Sequence, residues 1–143
     1  MAPTQNTAEF STECEVNIPE IDEQHATFFD MLGRIDSVTD DPYRPLDDDG
    51  VDEVLDIMAE IREYAQGHFG TEEGYMEEVE YPGLDDHKTA HERLLDDIAR
   101  IEGELLNGSA VPPIKVRTFL AESCRDHIQS MDKPFGQFYN KNK

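Results

Sequence analysis

Basic residues are scarce in this chain. Its 143 residues hold 12 Lys and Arg against 33 Asp and Glu, a formal charge of −21. Duplex nucleic acid is bound mainly by Lys and Arg neutralising phosphates, so no nucleic-acid partner is expected. Anionic membrane surfaces are disfavoured for the same reason. No apolar run approaches the roughly 20 residues of a membrane-spanning helix, so no membrane partner is expected either. The first ten residues lack both the basic and the apolar stretch of a secretory signal, which makes the cytoplasm the expected location. Tryptophan is absent, and the two cysteines, Cys14 and Cys124, make no disulfide framework. No repeat and no convincing strand alternation occurs. A chain of this length can bury roughly 70% of its unfolded surface, so residues 1–143 are read as one domain with a core of its own.

What the chain does have is helical periodicity. Residues 1–19 carry no helical stripe and read as an extended N-terminal arm, with Pro19 opening a helix. Ile21, His25, Phe28, Phe29, Leu32 and Ile35 then mark an amphipathic helix to about Val38. Thr39–Gly50 is turn and cap chemistry, hence a loop. Its Asp47-Asp48-Asp49-Gly50 run fails as a calcium loop, because the register puts Pro45 at the first ligand position. Capping the next helix is the better use of those carboxylates. That helix shows Val51, Val54, Met58, Ile61, Ala65, His68, Glu72, Tyr75 and Val79, and stops before Tyr81-Pro82-Gly83. A third shows Leu84, His87, His91, Leu94, Ile98, Ile101 and Leu105, ending at Asn107-Gly108. Pro112 and Pro113 open a fourth, with Val116, Leu120, Cys124, His127 and Met131 on one side and Pro134 as its limit. The fold expected is all-α, an up-down-up-down four-helix bundle over 20–133, with 134–143 as a C-terminal tail. Charge is uneven: six of the basic residues fall in 115–143, beside three acidic ones. A basic last segment lying against an acidic face explains that plainly.

All five histidines, His25, His68, His87, His91 and His127, lie on these apolar stripes. One such histidine is ordinarily a core residue with a hydrogen-bond partner. Five bury ten ring nitrogens, each costing about 1–3 kcal/mol if unmet. A metal site removes half that demand. His68 and Glu72 are four apart, as are His87 and His91, so each pair projects from one helix face. His127 and Asp132 are five apart, about 140° on an α-helix, and converge only if the helix widens locally, as π-bulges at functional sites do. Seven ligands exceed one tetrahedral zinc. Imidazole with carboxylate suits iron, and carboxylates can bridge two ions. With two bridging carboxylates and one bridging oxygen, three histidines fill one iron and two leave the other a position short.

The motifs resemble those of the hemerythrins, specifically the single-domain bacterial hemerythrins. The resemblance covers nearly the whole chain. It rests on Ile21-Asp22-Glu23-Gln24-His25, on His68-Phe69-Gly70-Thr71-Glu72-Glu73 with Met76, on Tyr81-Pro82 followed by His87 and His91, and on His127-Ile128 with Asp132. It implies two non-haem irons joined by an oxo or hydroxo bridge. His87, His91 and His127 would bind the saturated iron, His25 and His68 the open one, and Glu72 and Asp132 would bridge. Dioxygen would be the ligand, bound reversibly for transport, storage or local supply, without catalysis. Oligomeric state is left open, a monomer being compatible with the pattern.

One departure stands out. Bacterial hemerythrins often carry Trp-Leu four and three residues before the last-helix histidine, where this chain has Ser123 and Cys124. Cys124 lies one turn from His127 and is expected to line the dioxygen pocket, as a small buried hydrophobe or as a cause of a roomier, wetter one. Phe28, Phe29, Phe69, Tyr75 and Met131 are candidates for the pocket surroundings, Tyr64 for either site or seam. The Glu73, Glu77, Glu78 and Glu80 run reads as a solvated face, and Cys14 as inert. Two other functions fit the ligands: a redox or dioxygen sensor acting through a separate partner, and an enzyme acting on peroxide or nitric oxide.

Overall fold

The computed structural model describes residues 12–108 and 110–142. Among these the chain is helical and has no strand: α1 is Pro19–Asp36, α2 Asp48–Glu78, α3 Leu84–Leu106, α4 Pro113–His127 and α5 Lys133–Asn142. A π-helical turn, Ile128–Asp132, joins α4 to α5 without leaving helical backbone angles. α1 and α3 each pack against both α2 and α4, which closes the four into a ring around one core. This is the up-down-up-down bundle that the periodicities predict.

Local chemistry sets most of the ends. Pro19 occupies the first turn of α1, where its missing N–H is no loss, and Glu20 and Asp22 complement the helix dipole there. Asp47 caps α2, accepting a hydrogen bond from Gly50 N at 2.8 Å. α1 stops at Asp36, two residues before Val38, and α2 begins at Asp48. The stripes are buried over most of their length; Val51, Val79, Leu84, Leu94, Cys124 and Met131 are half-buried, and Met76 takes the core position in α2 that leaves Tyr75 half-buried.

Two ends differ from expectation. Pro134 does not end the helix, and the stretch read as a tail is the helix α5, with Phe135 fully buried. The π turn explains this. Lys133 N–H reaches back to Ile128 O, five residues away, so the hydrogen-bond ladder changes register just before a residue that has no N–H to offer. The second difference is the arm, of which residues 1–11 lie outside the described part. Thr12–Cys14 is a 3₁₀ turn, and from Glu13 to Ile18 burial alternates, with Cys14, Val16 and Ile18 inside.

This strap lies across α5. A Cβ on Gly136 would sit 2.2 Å from Val16 O, so only glycine lets the two backbones meet. Lys133 Nζ donates to Glu13 O at 2.9 Å and Asn140 Nδ2 to Asn17 O at 3.1 Å. Asn17 turns the chain at φ 64°, a region asparagine tolerates, and Asp22 accepts from Val16 N and Asn17 N. One residue of the basic last segment meets an acidic partner: Arg117 Nε donates to Asp36 Oδ2 at 2.7 Å between α4 and α1.

Candidate metal centre

Every long helix sends a side chain to one interior point. His25 comes from α1, His68 and Glu72 from α2, His87 and His91 from α3, His127 from the end of α4, and Asp132 from the π turn. All seven are buried, Glu72 and Asp132 almost completely. Their ligand atoms form two overlapping groups, each within 4.8 Å of one another. One group is His87, His91 and His127 with Glu72 and Asp132; the other is His25 and His68 with the same two carboxylates.

The two carboxylates divide their oxygens between the groups. Glu72 Oε2 lies 3.0 Å from His68 Nε2 and 3.2 Å from His25 Nε2, and Asp132 Oδ2 is also 3.2 Å from His25 Nε2. Glu72 Oε1 lies 3.0 Å from His91 Nε2 and 3.4 Å from His87 Nε2. Asp132 Oδ1 lies 2.7 Å from His87 Nε2 and 3.0 Å from His127 Nε2. Five Nε2 atoms therefore face four oxygens, and each carboxylate presents one oxygen to each side. The π turn is what lets Asp132 join His127 here, since a residue five along returns to the same face only when the helix is widened.

The donor set fits a pair of cations. His127 Nε2 and Asp132 Oδ2 are buried, and their near neighbours, Asp132 Oδ1 at 3.0 Å and His25 Nε2 at 3.2 Å, are out of line for a hydrogen bond. Orphans of this kind cost about 1–3 kcal/mol each. A cation in each group would engage both. The cluster's imidazoles and carboxylates also act on one another by charge. Burial alone would push His25 and His87 down, but the adjacent Asp132 and Glu72 carboxylates prevail and raise them to about 10 and about 9. Burial favours the neutral form of Glu72, yet His68, His25 and His87 hold it well below the carboxylate range. Asp132 is opposed by burial and by Glu72, and is held low by His127, His25 and His87. Metal uptake must expel the imidazole protons, so it is favoured by rising pH.

Two rings are anchored from behind. His68 Nδ1 donates to Gln24 Oε1 at 2.6 Å and His91 Nδ1 to Glu73 Oε2 at 2.8 Å, which leaves both Nε2 atoms free to act as ligands. Sequence reasoning missed both partners: Glu73 belongs to the site, not to the solvated face. Only the quoted motifs, with Gln24 beside His25 and Glu73 beside Glu72, held any signal. Phe69 stacks on His91 with centroids 4.0 Å apart and planes within 9°.

A cavity of about 20 Å³ adjoins the cluster, walled by Phe28, Phe29, Phe69, Leu94, Cys124 and Ile128. Both histidines of the smaller group line it, but only His127 of the larger one. Cys124 thus reaches the pocket, and burial, followed by the charges of Asp132 and Glu72, pushes its thiol up so that it stays neutral. Tyr75 is elsewhere, its hydroxyl donating to Glu20 at 2.6 Å. Met131 is half-buried and does not line the cavity, and Tyr64 lines a groove between α1 and α2 that reaches His68.

A four-helix bundle with an interior carboxylate-and-histidine cluster defines a bundle metal protein. The family model described as the hemerythrin HHE cation binding domain matches residues 16–138, and the chain belongs to the hemerythrin family. A bacteriohemerythrin of Clostridium acetobutylicum is 29% identical over 124 residues, 86% of this chain and 94% of the relative. Another, of Methylococcus capsulatus, is 27% identical over 133 residues, 93% of each. A crystal structure of wild-type hemerythrin aligns at TM-score 0.68 with 24% identity, over 96% of this chain and 97% of that one. A leucine-to-alanine variant of hemerythrin aligns at the same TM-score with 26% identity and the same coverage. Among the described residues no helix is long and apolar enough to cross a membrane.

Proposed function

We propose that the chain binds dioxygen reversibly at a pair of non-haem irons, as a carrier, store or local supplier and not as an enzyme. The observation that carries this is the division of oxygens: Glu72 and Asp132 each offer one to a three-histidine group and one to a two-histidine group. His87, His91 and His127 would hold one iron, His25 and His68 the other, with both carboxylates bridging. Two ferrous ions held there would supply the two electrons that reversible dioxygen uptake needs. The chain's own part is to keep the two positions unequal and the approach dry. The cavity beside His25 and His68 fits this part, because the smaller group is the one with a position to spare. Its volume of about 20 Å³ compares with the roughly 10–15 Å³ that one water requires, room for one small molecule. Away from His25, His68, His127 and Asp132, its walls are aromatic, aliphatic or thiol and give water little to hydrogen-bond.

The test is iron content together with the visible spectrum through reduction, air exposure and deoxygenation. Two irons per chain and a band that appears with dioxygen and vanishes on its removal are expected. Permanent conversion to the diferric spectrum at first exposure would sink reversible binding in favour of a sensor or an enzyme. Zinc alone after iron-replete expression would sink all three.

A further inference from the structure

The five histidines are not held alike from behind. In each group a single ring has a side-chain partner on Nδ1: His68 has Gln24 in the two-histidine group, and His91 has Glu73 in the three-histidine group. His25 Nδ1 and His87 Nδ1 are buried with no partner. One anchor is a neutral amide and the other a carboxylate. The amide accepts a hydrogen bond from Nδ1–H and fixes tautomer and ring direction. The carboxylate does the same and adds a negative charge, which makes the imidazole a stronger donor at Nε2. His91 is also the ring stacked on Phe69, so its plane is set on a face and at both nitrogens.

We propose that Glu73 and Gln24 are positioning residues that make the two metal positions unequal, Glu73 rendering the three-histidine position the tighter cation site. The inference rests on the di-iron reading above. It adds that occupancy has an order, in which the three-histidine position fills first and the position beside the cavity second. Glu73 is a quarter exposed, so water screens part of its charge. Loss of such a partner typically lowers metal affinity 10- to 100-fold, and the screening places Glu73 near the tenfold end.

The test is anaerobic calorimetric titration of the metal-stripped chain with Co²⁺, with circular dichroism to confirm the helical fold of each variant. Wild type should bind two ions in two resolved steps. Glu73→Gln keeps the hydrogen-bonding shape and loses the charge; it should weaken the tighter step about tenfold and leave the weaker one within twofold. Glu73→Asp should recover part of the loss. Gln24→Glu supplies the missing charge on the other side and should tighten the weaker step, narrowing the gap. Equal weakening of both steps by Glu73→Gln, no effect on either, or no tightening by Gln24→Glu would overturn the inference while leaving two bound ions. Fewer than two ions in wild type would instead bring down the di-iron reading itself.

Discussion

Truncating Glu72 tests how the cluster is held together. Its two oxygens lie 3.0–3.4 Å from the Nε2 atoms of His68, His91, His25 and His87. Glu72→Ala leaves Asp132 as the sole cluster carboxylate for the raised pair His25 and His87. Removing one partner of a buried charge pair costs roughly 3–5 kcal/mol. The imidazoles answer by releasing protons, which places the loss near the lower figure, about 3 kcal/mol. For a chain of this size that corresponds to roughly 10 °C in Tm, at about 2–4 °C per kcal/mol. The sign with pH follows from the shifts. His25 and His87 are raised to about 10 and about 9, so their contribution is complete below the ordinary histidine value of 6.5 and disappears as pH climbs through 9 and 10. Glu72 and Asp132 are held low, so theirs is complete above the ordinary carboxylate range and lost in acid. Urea unfolding of metal-stripped wild type and Glu72→Ala, followed by circular dichroism, should show the large difference at pH 6 and a smaller one at pH 10. A loss under about 1 kcal/mol at pH 6, or the same loss at both, would refute the account.

Two further substitutions probe the walls of the site and the seam beneath it. Cys124→Leu replaces the sulfur with a branched three-carbon group beside a cavity of about 20 Å³, narrowing the space in which water could stand next to a bound molecule. Oxidation of the dioxygen-loaded protein to the diferric state, timed by absorbance, should slow roughly tenfold, the effect of about 1.4 kcal/mol on a barrier. Equal rates would remove Cys124 as a determinant of pocket wetness. Gly136→Ala puts a carbon against Val16 O, a backbone atom that cannot swing aside. It should lower stability by about 1–3 kcal/mol, read as a lower urea midpoint. An unchanged midpoint would mean that the strap does not press on α5.

The bundle was legible because each long helix repeats its apolar positions at three and four. The five imidazoles were legible because they fall in that same stripe. Asp132 was the hard member of the cluster: five residues from His127 it belongs on another face, and only a widened turn, which no propensity specifies, returns it. The same turn hid α5. Pro134 is a helix breaker by its chemistry, yet it stands where the ladder changes register and no donor is needed. The strap did leave a trace, in Cys14, Val16 and Ile18 alternating with Glu13, Glu15 and Asn17. Three alternations without a partner strand look like coil until α5 supplies a surface. Glu73 was misread because a carboxylate among exposed glutamates carries no mark of the ring that it meets across α2 and α3. Contacts between helices are absent from the spacing within one.

The meeting of Val16 with Gly136 has a mechanical consequence. The segment 13–18 and the segment 133–140 form a seam, fastened by Lys133 to Glu13 and by Asn140 to Asn17, and Lys133 is the immediate neighbour of Asp132. Tension on either segment, from a tether or a docked protein, is borne by this seam and reaches Asp132 through a single peptide link. His25 lies three residues beyond Asp22, the side chain that holds the strap's turn. A cut or a pull at the seam would therefore loosen one carboxylate shared by the two groups and one histidine of the smaller group, while His87 and His91, on α3, remain seated.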